Sequence, residues 1–329
     1  MTTVRNSRLD GIKLLLIILV VIGHCIEPSR YTNTISGSLY SVIYLFHMPL
    51  FVFLSGYFTK VNSLKEWKDK GIRFIETFLI IMIPQFLFYR SWHVFLNPEN
   101  SGWYLMSLLW WYGILLFMKR VLPKMSIWGG FLTVSASMLV FLLPLGNYGR
   151  LLSFNRTIQM LPYFYGGYLC SSKGLSLPCG IKKKASALLL ILSVIIMVLL
   201  IHYSSRTLHV LEFYNVDAWS IGNNSKLPLV GLLGARCLLM ISTIIVSFAI
   251  IEKVKLSGRL SILGKTTLVI YVIQGILAHI IPSLTPANLY MELAIGAGIL
   301  LLSIFLIKTI DCKYITNPIS TLFDKIKNK

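Results

Sequence analysis

Long apolar runs separated by short basic or polar stretches recur from one end of the chain to the other. Ten of them, at about residues 10–27, 36–58, 71–91, 103–118, 127–145, 157–171, 184–203, 228–251, 260–282 and 288–310, approach or reach the ~20 residues that a helix needs to cross a hydrocarbon core of ~30 Å. The runs at 103–118 and 157–171 are short and aromatic, so their ends are weakly marked. The pattern predicts an all-α, polytopic transmembrane bundle of about ten helices in a single domain over residues 1–329, with no separate soluble domain. The longest polar stretch, from about Tyr203 to Leu227, reads as a small lid or acceptor-binding loop.

Composition agrees with this reading and narrows the partners. Of 329 residues 56% are hydrophobic and only 13% charged, and mean hydropathy is +0.74. Soluble domains run near a quarter charged, so the lipid bilayer is the solvent. The net charge of +19 suggests nucleic acid in a soluble protein, but here most basic residues fall between apolar runs and serve to orient the chain, so no nucleic-acid partner is expected.

Cytoplasmic loops carry the excess of Lys and Arg. One alternating set of loops holds Lys60, Lys65, Lys68 and Lys70, then Lys119, Arg120 and Lys124, then Lys173, Lys182, Lys183 and Lys184, then Lys253, Lys255 and Arg259. The other set is sparse, and both termini match the rich one. An even number of crossings with both ends in the cytoplasm follows, and the plasma (inner) membrane is the expected location. The first run is expected to remain in the mature protein, because Asp10 and Lys13 sit at its mouth and Cys25-Ile26-Glu27 is no small-residue cleavage site. Five scattered cysteines, Cys25, Cys170, Cys179, Cys237 and Cys312, indicate neither a disulfide framework nor a metal cluster.

Ionisable residues inside apolar runs are costly and need a partner or a role. Lys13 and His24 are eleven residues apart, which returns to one helix face after a rise of ~16 Å. They read either as a snorkelling lysine and a packed histidine or as a functional stripe. His47 stands beside Pro49, whose missing N–H should kink the helix and open carbonyls toward a cavity, so His47 either lines that cavity or packs. Ser55-Gly56 reads as a packing pair whose hydroxyl is also in a position to meet a donor. Lys70 and Arg73 are topological charges or anion ligands. Glu76, one turn on, reads as the ion-pair partner of Arg73. Arg236 has no acidic residue near it in sequence and is placed at an acceptor cavity. Trp103 is either an interfacial belt aromatic or a platform for a sugar ring.

Two segments carry a resemblance to a known family. Asp10-Gly11-Ile12-Lys13, an aliphatic run and Gly23-His24 resemble the opening helix of the acyltransferase 3 family of membrane acyltransferases. Phe46-His47-Met48-Pro49-Leu50-Phe51-Val52-Phe53-Leu54-Ser55-Gly56-Tyr57-Phe58 resembles its second helix. Many members have arginine where Lys13 stands, and lysine there resembles the branch of fucose 4-O-acetylase-like proteins. Weaker echoes are Lys70-Gly71-Ile72-Arg73, Trp103-Tyr104-Leu105, Pro162-Tyr163-Phe164-Tyr165-Gly166-Gly167, and Gly264-Lys265 to Ile270-Tyr271. There are departures: Gln274 stands where many members have histidine three residues after the tyrosine, and Pro84 lies deeper in its run than the family pattern.

The resemblance implies transfer of an acyl group, acetyl above all, from cytoplasmic acyl-CoA to a hydroxyl of a cell-surface or lipid-linked glycan. It implies His24 as the general base, since imidazole titrates nearest operating pH. Lys13, Arg73 and Lys70 would hold the donor's phosphates, with Ser55 nearby. His47, Trp103 and Arg236 would lie at the cavity or the acceptor. Acetyl-CoA, or another acyl-CoA, is then a substrate, and no permanently bound cofactor or metal is implied. The rival class is a glycan transporter or flippase without acyl chemistry. No motif names the acceptor, and nothing in the chain sets an oligomeric state.

The loop charges yield a direct test. Cysteine labelling or reporter fusions should place Lys65, Lys183 and Lys329 in the cytoplasm and the segment around Asp217 outside. A reporter that finds the C-terminus outside contradicts an even number of crossings.

Overall fold

A computed structural model of the chain describes residues 7–98, 101–122, 127–175, 177, 183–204, 218, 228–256, 263–284 and 288–327. The polar stretch expected to form a lid, from about Tyr203 to Leu227, lies largely outside the described residues. Among those described, regular structure is helical throughout. The α-helices are α1 (Ser7–Cys25), α2 (Thr34–Tyr57), α3 (Leu64–Tyr89), α4 (His93–Leu96), α5 (Trp103–Val121), α6 (Ile127–Leu142), α7 (Phe154–Ser172), α8 (Lys183–Ser204), α9 (Leu229–Lys253), α10 (Thr267–Ser283), α11 (Leu289–Thr309), α12 (Cys312–Thr316) and α13 (Pro318–Lys327). Short 3₁₀ turns occupy Pro28–Tyr31 and Gly146–Ser153.

Each of the ten apolar runs is a helix. Four helices, α2, α3, α9 and α11, are long and apolar enough by themselves to cross a membrane. The two weakly marked runs extend to full 19-residue helices, α5 and α7. In the run at 260–282, α10 covers Thr267–Ser283, and the first residues of the run, up to 262, lie outside the described residues. Local signals set several boundaries. Ser63 caps α3 by accepting from the Glu66 N–H at 3.2 Å, while Glu66 accepts from the Asn62 N–H at 2.8 Å. Asn288 caps α11 through the N–H groups of Tyr290 and Met291.

The distribution of side chains is that of a protein in lipid. Leu188, Ile191, Val194, Ile195 and Val198 of α8 and Leu301 and Phe305 of α11 are exposed, whereas His47, Gln85, Gln159, Arg236, Gln274 and Glu292 are buried. Apolar surface facing outward and polar groups facing inward is the arrangement that hydrocarbon demands.

The chain divides into two compact units, interleaved along the sequence. The first comprises residues 1–48, 176–205 and 241–316; in it α1 packs against α10 and α11, which also pack on each other. An added Cβ on Gly11 would come within 2.2 Å of the Leu256 carbonyl oxygen, and one on Gly264 within 1.9 Å of that of Asp10, so backbones touch at both places. Arg8 joins the same region, donating from Nε to the Val254 carbonyl at 3.0 Å and from Nη2 to that of Ile251 at 2.8 Å. A cation thereby meets the unpaired carbonyls at the C-terminus of α9.

Pro49 sits inside α2, which continues as a helix across it. Its missing N–H would leave the Leu45 carbonyl unbonded. Thr243 of α9 donates to that oxygen at 2.9 Å, so the freed carbonyl is closed by protein instead of opening onto a cavity as the sequence suggested.

The second unit comprises residues 49–175, 206–240 and 317–329; α5 packs on α3 and α7, and α6 on α7. The end of α2 meets α7 at Gly56 and Gly167. A Cβ on either would stand 1.9 Å from a carbonyl oxygen of the other helix, Phe164 or Phe53 respectively. Glu76 overturns its expected pairing with Arg73: its carboxylate accepts from the backbone N–H groups of Ile319 and Ser320 and from the Ser320 hydroxyl. It caps the N-terminus of α13, where a negative charge meets unpaired N–H groups and the positive end of the helix dipole.

These contacts make Gly56 a stability determinant. Gly56→Ala should destabilise the protein by about 1–3 kcal/mol, the cost of overpacking a close contact, as a lowered thermal transition in detergent. Gly130→Ala, where a Cβ would meet nothing within 4 Å, is the control and should leave the transition in place.

Candidate active site

The site is built where α1 stops. Lys13 and His24 lie on this one helix, eleven residues and ~16 Å apart. Lys13 is half-buried, with Nζ 3.5 Å from Oδ1 of the buried Asp10. The helix ends at Cys25 and the chain turns into the 3₁₀ segment, which places Glu27 beside His24 with Oε2 3.6 Å from Nδ1. Arg30 donates to the other Glu27 oxygen, Oε1, and also to the hydroxyls of Tyr40 and Tyr31 at 3.0 and 2.9 Å. The turn is held from below by Ser29, whose hydroxyl donates to Glu292 of α11 and lies 2.8 Å from the Ser36 hydroxyl. All three are buried.

Two further helices of the same unit complete the cluster. From α2, Tyr44 directs its hydroxyl to within 3.5 Å of His24 Nδ1. From α10, His279 sets its ring 4.6 Å from that of His24, edge to face. One ligating atom from each of His24, Glu27 and His279 falls within 4.8 Å of the others. All three side chains are partly accessible.

Electrostatics hold Glu27 in its charged form. Burial opposes ionisation, but the facing imidazole of His24 and then the Arg30 guanidinium outweigh it, and the carboxyl is lowered to about 2. A permanent carboxylate thus faces Nδ1 of His24 and favours a proton there, leaving Nε2 as the basic nitrogen.

The remaining predicted residues are placed less simply. His47 is buried, with Nδ1 2.7 Å from the Ile43 carbonyl and its ring against Tyr44, so it stands behind Tyr44. Ser55, Lys70, Arg73, Trp103 and Arg236 belong to the second unit. Ser55 is engaged in packing, donating to the Phe51 carbonyl and lying 2.7 Å from the Tyr104 hydroxyl. Lys70 donates to the Lys60 carbonyl at 2.7 Å, and Arg73 is exposed. Trp103 is not an exposed platform: it is buried, with the Arg156 guanidinium 5.2 Å from its ring centre. Arg236 is fully enclosed, donating to the Ser137 hydroxyl at 3.2 Å and lying 5.4 Å from the Phe141 ring centre.

Glu27, Arg30, Tyr44 and His279 were missed as site residues. Glu27 had a visible signal, a carboxylate three positions after an intramembrane histidine. His279 had none, because only the packing of α10 on α1 brings it to His24.

Fold and site together define a polytopic helical membrane protein that carries an imidazole backed by a carboxylate. The particular family follows from comparison: the family model described as "Acyltransferase domain" matches residues 6–308, and the chain belongs to the acyltransferase 3 family. That family is one of membrane acyltransferases. Nodulation protein NolL of Sinorhizobium fredii (strain NBRC 101917 / NGR234) is 42% identical over 64 residues, which is 18% of this chain and 18% of that protein's length. No solved structure matches.

If Glu27 sustains the base, removing its charge should lower acyl transfer without removing the protein from the membrane. Glu27→Gln is expected to cost on the order of 10²-fold in rate, and Glu27→Asp less. Because its carboxyl is lowered to about 2, Glu27 is ionised from about pH 4 upward. A rate profile between pH 5 and 9 should therefore show no limb that Glu27→Gln abolishes.

Proposed function

We propose that this acyltransferase is an O-acetyltransferase of the fucose 4-O-acetylase-like branch, moving acetyl from cytoplasmic acetyl-CoA to a hydroxyl of a cell-surface or lipid-linked glycan. The observation that carries the reading is the pairing of His24 with the ionised Glu27 at the end of α1. The loop charges support cytoplasmic termini and a His24 toward the outer face; the membrane in this reading is the plasma membrane. Lys13, at the opposite end of the same helix, then lies toward the donor's compartment.

In this reaction Nε2 of His24 takes the proton of the glycan hydroxyl as its oxygen attacks the thioester carbonyl. The oxygen–carbon bond forms, the carbon–sulfur bond breaks, and the departing thiolate takes the proton from the imidazolium. Glu27 stabilises the imidazolium in between and keeps the ring turned so that Nε2 faces the acceptor. The donor's phosphates call for cations at the cytoplasmic mouth, a role for Lys13, Lys70 and Arg73. Lys13 must exchange Asp10 for phosphate to serve it. The burial of Trp103, His47 and Arg236, and the hydrogen bonds of the half-buried Ser55, favour supporting roles for these four over direct contact with substrate.

His24→Gln is the decisive variant, since it keeps size and hydrogen bonding but takes no proton at neutral pH. It should insert normally, still bind acetyl-CoA, and lose about 10²–10⁴-fold in glycan acetylation, read by mass analysis of surface glycans. Acetylation near the parent rate would make His24 structural and move the base elsewhere.

A further inference from the structure

We propose that His24, Glu27 and His279 form a binding site for a divalent transition-metal ion, zinc being the best match, and that an ion held there switches acyl transfer off. The binding claim stands on geometry alone; the switching claim rests on the reading of His24 as the base.

Two imidazoles and one carboxylate are a ligand set suited to zinc, which takes nitrogen and oxygen donors and tolerates three protein ligands with a fourth position open. The residues come from three separate places, the end of α1, the turn that follows it and α10, so their convergence is a product of packing and not of local sequence. His24 Nδ1 and Glu27 Oε2 are 3.6 Å apart, close to the ~3.3 Å that separates two ligands in a tetrahedral site with bonds of ~2.0 Å. The wider pairs reach at most 4.8 Å. Closing them requires a movement of about 1.5 Å at the ligand atoms, within the range of small side-chain torsions.

The surroundings orient the ligands as second partners do in metal sites. Arg30 occupies Glu27 Oε1 and leaves Oε2 turned toward His24. The Ser29 bond to Glu292 fixes the turn on which Glu27 rides. None of the three ligands is fully enclosed by protein, which leaves room for an ion to reach them. The nearby Arg30 charge opposes a dication, so moderate and reversible affinity is expected in place of a permanent structural ion.

An ion in this position takes both the His24 nitrogen that faces Glu27 and the carboxylate itself. Glu27 can then no longer stabilise an imidazolium, and a ring bonded to a dication has lost its tendency to accept a proton. Base catalysis and metal occupancy exclude one another.

The test uses the full chain in lipid nanodiscs, purified through a tag without histidines, with zinc itself as probe. Competition against a chromophoric chelator should show one zinc per chain, and Glu27→Gln and His279→Ala should each weaken it at least about tenfold. His279→Cys, which keeps a zinc ligand, should restore binding, separating loss of a ligand from damage to the fold. Zinc should also stop acyl transfer by the parent protein, with activity returning on chelation. Parent and variants binding zinc equally, or the parent binding none in competition with the chelator, overturns the site, even if His24→Gln still abolishes transfer. Zinc bound in a Glu27- and His279-dependent way while transfer continues overturns the switch and removes His24 from the base role, leaving the metal site standing.

Discussion

A polar group inside hydrocarbon has no water to fall back on, so every carbonyl, hydroxyl and charge in the spanning helices must be answered by another part of the protein. This constraint shapes the molecule more than any single contact. It explains why the carbonyl released by Pro49 is met by Thr243, and why Arg236 is wrapped by Ser137, Gln159 and Phe141. It also explains why helix ends are closed by distant charges, with Arg8 on the carbonyls of α9 and Glu76 on the N–H groups of α13. Chain termini are thereby fastened to the bundle by groups that also cancel helix dipoles.

The same constraint makes the end of α1 a place where chemistry is possible. A carboxylate within the span would need full burial and pairing. Two residues past the helix end it remains partly accessible, and Arg30 and the Ser29–Glu292 bond restrict its position. His24 stays on the last turn of the helix and so keeps a defined orientation. Rigid helix and pinned turn together hold the His24 imidazole and the Glu27 carboxylate in a defined geometry.

Residues that carry the family resemblance divide into two physical groups. Lys13 and His24 carry charge or protons. Gly11, Gly56, Gly167 and Gly264 instead allow backbones to touch, since a methyl group at any of them would collide with a carbonyl of its neighbour. Ser55 belongs with the second group, because its hydroxyl is bonded within the packing of the second unit. A motif read only as chemistry would assign too many of its residues to the substrate.

The helices, their approximate limits and the bilayer as solvent were legible in the chain itself, because apolar length and loop charge are properties of consecutive residues. So was the stripe of Lys13 and His24, which needs only the period of one helix. Errors arose where partners are far apart in sequence. Glu76 was assigned to Arg73 by proximity, but its partners are some 240 residues away. Trp103 was left as a belt aromatic or a platform for a sugar ring, yet packing buries it beside Arg156. His279 carried no local sign at all. Period and composition are set by neighbours along the chain, whereas the convergence of His24, Glu27 and His279 depends on how α10 packs against α1, and only the tertiary structure decides that.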